Sequence, residues 1–167
     1  VIAGPGVENE WYIGTVNGGV WKTTSSLDGT EDIHWDNVLD GQPVACSSIS
    51  AITVNGATIV AGCGGSTSSE QGTDWAVLNS GDWGGLMYST DSGLTWAMTA
   101  FPKNSYVSDI LFLDDTLLVS ARADIFHRDK GGIFKGSLTG DFEQVFDQPV
   151  FKLGMVGDTI IATVPWV

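Results

Sequence analysis

The chain has 167 residues and a formal net charge of −13, from 20 acidic and 7 basic residues. A surface of that charge repels phosphate backbones and anionic lipid, so a nucleic-acid partner is not expected. No apolar run is long enough to span a bilayer, and the 22 Gly and 7 Trp residues favour an all-β fold.

The N-terminal part of the sequence predicts short strands rather than helices. The chain opens with VIAGPG, which lacks both an initiator Met and a signal-peptide pattern. We interpret it as either a processed mature chain or a piece of a longer one. Strands are predicted near residues 11–15, 19–24 and 34–38. A strand preceding these is missing or reduced to residues 1–3.

An acidic loop lies between the second and third of these strands. Residues 26–36 group four carboxylates, Asp28, Glu31, Asp32 and Asp36. Calcium binds several oxygen ligands, and acidic loops supply them. The loop lacks EF-hand spacing, so a solvated acidic turn is the favoured interpretation and calcium the alternative. We predict no metal site and no cofactor.

A tight hairpin recurs three times, starting near Ser47, Val107 and Val150. Each copy has two apolar, β-branched runs around a two-residue turn, predicted at Asn55-Gly56, Asp114-Asp115 and Gly157-Asp158. Asn-Gly is the strongest short-range hairpin signal. The repetition predicts the first two strands of a recurring unit.

The two cysteines, Cys46 and Cys63, flank the first hairpin. A turn at Asn55-Gly56 places Ser48 opposite Cys63, which makes the two thiols diagonal neighbours. This geometry permits a disulfide without requiring one. The redox compartment therefore stays open at this point.

A second segment alternates with the hairpins and begins with a Gly-Gly pair, near Gly18, Gly84 and Gly131. Together the two segments form a unit of four antiparallel strands. The Gly-Gly pairs are 66 and then 47 residues apart, which is within reach of the propeller-blade period of about 40–50 residues once insertions are allowed. We predict an all-β fold, a β-propeller of four-stranded antiparallel blades with about three and a half blades present. The blades cover approximately residues 1–40, 44–102 and 105–148, and a fourth starts at 150–167.

An unclosed arc of blades leaves unpaired edge strands. The remaining blades are therefore expected from the same chain or from another copy.

Residues 89–96, STDSGLTW, resemble the Asp-box, the bacterial neuraminidase repeat S/T-x-D-x-G-x-T-W. This repeat occurs in β-propellers of the sialidase-like and sortilin-like kind, in xyloglucanases and in a photosystem II assembly factor. The copies at residues 23–35 and 136–146 are degenerate. The resemblance implies an extracytoplasmic protein that is secreted, periplasmic or in an organelle lumen.

The chemistry of the box favours a structural role over a catalytic one. Asp91 can accept hydrogen bonds from backbone N–H groups of the turn that starts at Ser89. Gly93 supplies a positive φ, and Thr95 begins the return strand. Trp96 is expected to pack as a large apolar plug between blades.

Strand parity predicts where binding occurs. In an antiparallel meander, the first and third turns share one end of the sheet, and the second loop and the links between sheets share the other. The long second loop of blade two, residues 62–83, is at that other end. Trp beside carboxylate is typical of sugar subsites, so glycan or ligand binding is predicted for Glu70, Asp74, Trp75, Asp82 and Trp83. The alternative is a solvated insertion whose Trp side chains pack on the blade.

The equivalent loop of blade three, residues 121–130, carries a second group of candidate binding residues, Arg122, Asp124, His127 and Arg128. Arg binds carboxylates bidentately, and the sialidase resemblance implies three such Arg, whereas this chain has two. The alternative is a local ion-pair cluster. The Tyr nucleophile and Glu partner of sialidases cannot be placed, because Tyr12, Tyr88 and Tyr106 have no evident partner. Catalytic residues are therefore unknown.

Fold alone does not give function, because propellers serve both hydrolases and passive binders. The leading hypothesis is a non-enzymatic binding or scaffold module that holds a protein partner or a glycan. A fragment of a sialidase-like or xyloglucanase-like glycoside hydrolase is one alternative. A structural subunit of a large assembly is the other.

Overall fold

The computed structural model describes residues 2–4, 7, 9–30, 32–44, 46–64, 85–102, 105–122 and 131–164. These residues form fourteen strands and no helix. The first eight are β1 Ile2–Ala3, β2 Trp11–Thr15, β3 Gly19–Thr23, β4 Asp36–Asn37, β5 Ile49–Asn55, β6 Thr58–Cys63, β7 Leu86–Ser89 and β8 Ala97–Met98. The others are β9 Tyr106–Leu113, β10 Thr116–Arg122, β11 Gly132–Gly136, β12 Glu143–Phe146, β13 Lys152–Val156 and β14 Thr159–Thr163.

The strands form four antiparallel sheets in which sequence neighbours are hydrogen-bonded neighbours. Sheet 1 is β1–β4, sheet 2 is β5–β8, sheet 3 is β9–β12 and sheet 4 is β13–β14. The all-β prediction is confirmed, as is the division into antiparallel meanders. Each meander follows from short β-branched and aromatic runs separated by Gly-, Asn- or Asp-containing turns.

The three predicted hairpins are present, but the first turn lies one residue later than predicted. Asn55 pairs with Thr58, so the turn residues are Gly56 and Ala57 rather than Asn55 and Gly56. Gly56 has φ 59°, which suits the first position of a type II′ turn. The turns at Asp114-Asp115 and Gly157-Asp158 lie where predicted.

The first strands of sheets 2 and 3 each contain a β-bulge at a serine, Ser50 and Ser108. The bulge at Ser50 places Ile49, not Ser48, opposite Cys63. Each serine hydroxyl donates to a carbonyl at or just before the first strand of the next sheet. Ser50 bonds Val107 O and Ser108 bonds Val150 O. The bulges therefore join successive sheets through equivalent hydrogen bonds.

The core lies between the sheets. The first strands of neighbouring sheets contact one another, β1 with β5, β5 with β9, and β9 with β13. One buried cluster joins sheets 1 and 2, and a second joins sheets 2 and 3. A Cβ at Gly62 would collide with the Val107 side chain, so glycine is needed where β6 approaches β9. Close packing of this kind leaves little room for substitution.

The two ends of the sheets carry different connections. The end that carries the two-residue turns and the loop at residues 90–95 is called here the turn end. The end at which β6 and β10 finish and β9 and β13 begin is called the link end, because the connections between sheets lie there.

Candidate functional site

The Ser89–Trp96 segment forms a closed hydrogen-bonded turn at the turn end. Asp91 Oδ1 accepts from Thr95 N at 2.9 Å, and Asp91 Oδ2 accepts from Thr95 Oγ1 at 2.6 Å. The Ser89 hydroxyl donates to Asp91 Oδ1 at 2.7 Å and accepts from Gly93 N at 2.9 Å. Gly93 has φ 88°, a conformation that side chains other than glycine adopt with strain.

These hydrogen bonds hold Asp91 in its charged form. The two bonds from Thr95, followed by the one from Ser89, lower the Asp91 pKa from 3.8 to about 2. A carboxylate held this way is a poor general acid or base near neutral pH. The bonding therefore assigns Asp91 to closing the turn.

Trp96 connects this turn to the core. Its side chain is 4% exposed and lies in the buried cluster with Tyr12 and Val20 of sheet 1 and Ile59 of sheet 2. The indole Nε1 donates to Gly93 O at 3.1 Å. The turn also bonds the neighbouring hairpin, since Ser92 N donates to Ala57 O at 2.9 Å. The Ser89–Trp96 turn thus stabilises contacts between two sheets and between two turns.

Sheet 1 contacts the same turn through a half-buried polar cluster. The Tyr12 hydroxyl donates to Glu10 Oε2 at 2.9 Å, and Lys22 Nζ pairs with Glu10 Oε1 at 2.5 Å. Lys22 Nζ also donates to Ser92 O at 3.2 Å, and the Tyr12 hydroxyl oxygen lies 3.3 Å from the same carbonyl oxygen. The expectation that Tyr12 has no partner is therefore wrong.

The environment of Tyr12 does not suit a nucleophile. Burial raises its pKa above the ordinary value, and the hydrogen bond to Glu10 and the charge of Glu10 raise it further. Burial alone would raise the Glu10 pKa, but the hydrogen bonds from Lys22, Tyr12 and Ser92 together outweigh it and lower that pKa. A neutral phenol that donates to a carboxylate has a structural role here.

Arg122 lies at the link end, close to two aromatic rings. It is the last residue of strand β10, whereas the sequence predicted a loop residue. Its guanidinium carbon is 4.2 Å from the centre of the Tyr106 ring and 5.2 Å from that of Phe151. Tyr106 begins β9, and Phe151 precedes β13. The stack therefore joins sheet 3 to the start of sheet 4.

Arg122 differs from two described lysines that form ion pairs. Within the part of the chain that the structure describes, Arg122 forms no salt bridge, whereas Lys22 pairs with Glu10 and Lys152 with Asp109. Both rings lie within cation–π distance of the guanidinium, whose N–H donors point outward in the plane of the group. A guanidinium in this position can donate two parallel hydrogen bonds to a carboxylate or another oxygen-bearing ligand.

The other predicted binding residues lie outside the described residues. They are Glu70, Asp74, Trp75, Asp82, Trp83, Asp124, His127 and Arg128. The structure describes the residues on which both loops begin. Gly64 precedes the first, and a Cβ at this glycine would lie 3.3 Å from the Tyr106 ring, while Arg122 precedes the second. The bases of the two loops therefore meet at Tyr106.

A disulfide and a surface cavity lie at the same end. Cys46 and Cys63 are bonded, and both are buried. Cys46 also lines a cavity of about 310 Å³. Other residues around the cavity include Asn17, Gly18, Asn37, Leu39 and Asp40. The disulfide ties the link between sheets 1 and 2 to the end of β6, just before residues 65–84.

Two classes of site find no support among the described residues. No group of three or more His, Cys, Asp or Glu side chains is arranged to hold a metal in that part of the chain. Nor does any helix there have the length and apolarity needed to cross a membrane.

Sequence reasoning missed the two bulged serines and the Arg122 stack. The serines carry a weak signal, since each stands six residues before its turn, Ser50 before Gly56 and Ser108 before Asp114. The stack has none, because Tyr106, Arg122 and Phe151 come from three separate elements. A comparison of the sequence with protein-family models and with curated proteins finds no match.

Proposed function

We propose that this chain is a non-enzymatic binding or scaffold module of the Asp-box β-propeller type, which holds a glycan or a partner protein at its link end. The observation that carries the proposal is Arg122, which lies against the Tyr106 and Phe151 rings and has no carboxylate partner among the described residues. The chain has 20 acidic residues, yet none of the described ones pairs with this arginine. Its N–H donors are therefore suited to a carboxylate or other oxygen-bearing ligand from outside the chain.

Three features support the propeller architecture. Sheets 1 to 3 have the same strand order, and sheet 4 starts in the same way. Their first strands lie side by side, as strands around a common axis would. The hydrogen bonds from Ser50 and Ser108 reach equivalent positions of the following unit. A regular rotation from sheet to sheet accounts for all three.

The two ends of the sheets differ in a way that supports a binding role for the link end. At the turn end, Asp91 and Glu10 are engaged by their neighbours, and Tyr12 is buried. At the link end, a partly exposed cation, a cavity and the bases of two long loops lie on one side of a rigid scaffold. Ligand sites concentrate on loops that such scaffolds position. The disulfide supports an extracytoplasmic location.

The proposal is tested on an array of acidic and neutral glycans probed with the labelled protein. Arg122→Gln should weaken binding to acidic glycans roughly tenfold or more, because a hydrogen bond to a charged group is worth about 1.5–3 kcal/mol. Lys135→Gln is the matched control, since Lys135 is an exposed cation near the turn end. An equal loss of glycan binding in both variants, or glycan binding that neither substitution affects, would argue against the link end as the binding site.

A structural subunit of a large assembly is a second candidate, favoured by sheet 4. Every residue of β14 is exposed, including Ile160 and Ile161 at 41% and 49%. The equivalent strands β6 and β10 are mostly buried and are paired on both edges. We infer that the remaining blades, from the same chain or another copy, cover β14. Sedimentation of the 167-residue chain tests this, with concentration-dependent association that Ile161→Lys abolishes as the expected result.

A further inference from the structure

Two Asn-Gly pairs with the same local chemistry occupy different environments in this fold. Asn17-Gly18 connects β2 to β3 at the link end, and Asn55-Gly56 lies at the β5–β6 turn. An asparagine amide followed by glycine is open to attack by the next backbone nitrogen, because glycine has no side chain to crowd the approach. The sequence alone makes the two sites equally reactive.

The Asn17 side chain is held away from that reaction. Its Oδ1 accepts a hydrogen bond from Ser48 Oγ at 2.8 Å, and the Asn17 backbone N–H donates to the same hydroxyl oxygen at 3.1 Å. The next residue is fixed as well, since Gly18 O accepts from Trp21 Nε1 and from Asn37 Nδ2. Rotation of the amide toward Gly18 N therefore requires at least one hydrogen bond to break first.

Asn55 has none of these restraints. It is exposed at the end of β5, and its side chain forms no hydrogen bond with a described residue. Gly56 N lies outside the strand ladder and is not hydrogen-bonded to the described backbone. The space around Gly56 is open, because a Cβ placed on this glycine would have no atom within 4 Å. The Asn55 amide therefore has no hydrogen bond to a described residue that must break before it rotates toward Gly56 N.

We propose that Asn55 is a deamidation site of the native protein, and that Asn17 is protected from the same reaction by Ser48. Gly56 N attacks Asn55 Cγ, the Cγ–Nδ2 bond breaks, and ammonia leaves with the Gly56 amide proton. Water then opens the succinimide at either carbonyl and leaves aspartate or isoaspartate at position 55. Asparagine is among the residues known to limit the chemical lifetime of proteins.

The modification has a structural consequence at the turn end. Isoaspartate adds one carbon to the main chain immediately before Gly56 and Ala57. Ala57 O accepts the hydrogen bond from Ser92 N at 2.9 Å, so the lengthened turn displaces this acceptor. Aged protein should lose hydrogen-exchange protection at the Ser92 amide while the sheet ladders stay protected.

The test follows both sites in the same wild-type sample. The protein is incubated at neutral pH in its native state and, separately, in concentrated urea, and both peptides are mapped by mass spectrometry with fragmentation that identifies isoaspartate. In urea the two sites should react at similar rates. In the native state Asn17 should react roughly tenfold more slowly than Asn55, since one hydrogen bond must be broken first.

Asn55→Gln is the matched variant, because its longer amide closes the ring poorly while keeping the same polar group. It should abolish the modification and preserve Ser92 protection on ageing. Similar native rates at Asn17 and Asn55, a faster loss at Asn17, or an unreactive Asn55 would each overturn the proposal.

Discussion

Replacement of Trp96 by alanine should strongly destabilise the contact between sheets 1 and 2. The side chain is 4% exposed and packs with residues of both sheets. Truncation of a buried Trp to Ala costs about 3–5 kcal/mol of the free energy of unfolding. Since whole domains are stable by only about 5–15 kcal/mol, the variant should be close to the limit of folding.

Urea denaturation followed by circular dichroism measures this loss. With a slope of about 2 kcal/mol per molar, the unfolding midpoint should fall by roughly 1.5–2.5 M. Leu94→Ala is the control, because Leu94 belongs to the same turn and is 74% exposed. Its effect should stay within about 0.5 kcal/mol. If Trp96→Ala costs no more than Leu94→Ala, the indole does not hold the sheets together.

Three further perturbations test the Ser89 hydrogen bond, the disulfide and the Asp91 carboxylate. Ser89→Ala leaves the buried Gly93 N–H without its acceptor and should cost about 1–3 kcal/mol in urea unfolding; a neutral effect would contradict the bonding scheme. Reduction of the Cys46–Cys63 disulfide, whose cysteines are 17 residues apart, should lower the free energy of unfolding by about 3 kcal/mol, measured by thermal unfolding. Unchanged stability after reduction would contradict a stabilising role for this disulfide. The pKa of Asp91 is lower in the folded protein than in the unfolded chain. The ionised side chain therefore adds its full contribution to the free energy of unfolding above pH 3.8, and this contribution is lost as the pH falls through about 2. Asp91→Asn should flatten the stability profile across that window, and an unchanged profile would count against the assigned bonds.

The strands could be predicted because they depend on local sequence. Apolar alternation between turn residues predicted β2, β3 and the three hairpins close to their observed limits. The register of the first hairpin could not be predicted in the same way. The bulge at Ser50 forms where the hydroxyl reaches Val107 O, an acceptor that belongs to another sheet and leaves no trace in the local pattern.

The candidate site was predictable only in part. The alternation of turns between the two ends of each sheet predicted Arg122 at the link end. Its neighbours could not be predicted, because they depend on how three separate elements pack. Tyr106 and Phe151 were not predicted as neighbours of Arg122, since an aromatic residue at a strand start usually indicates core or edge packing. Glu10 was missed as the partner of Tyr12 for a related reason, because it precedes the strand and carries no periodic signal.

Hydrogen exchange of the protein, free and bound to the glycan that it binds most strongly on the array, shows at which end of the sheets the ligand lies. If Arg122 binds the ligand, new protection is expected at the link end, in residues 105–107, 119–122 and 150–152, while the turn end stays unchanged. Protection confined to residues 89–96 and 137–141 would place the ligand at the turn end and refute binding at Arg122.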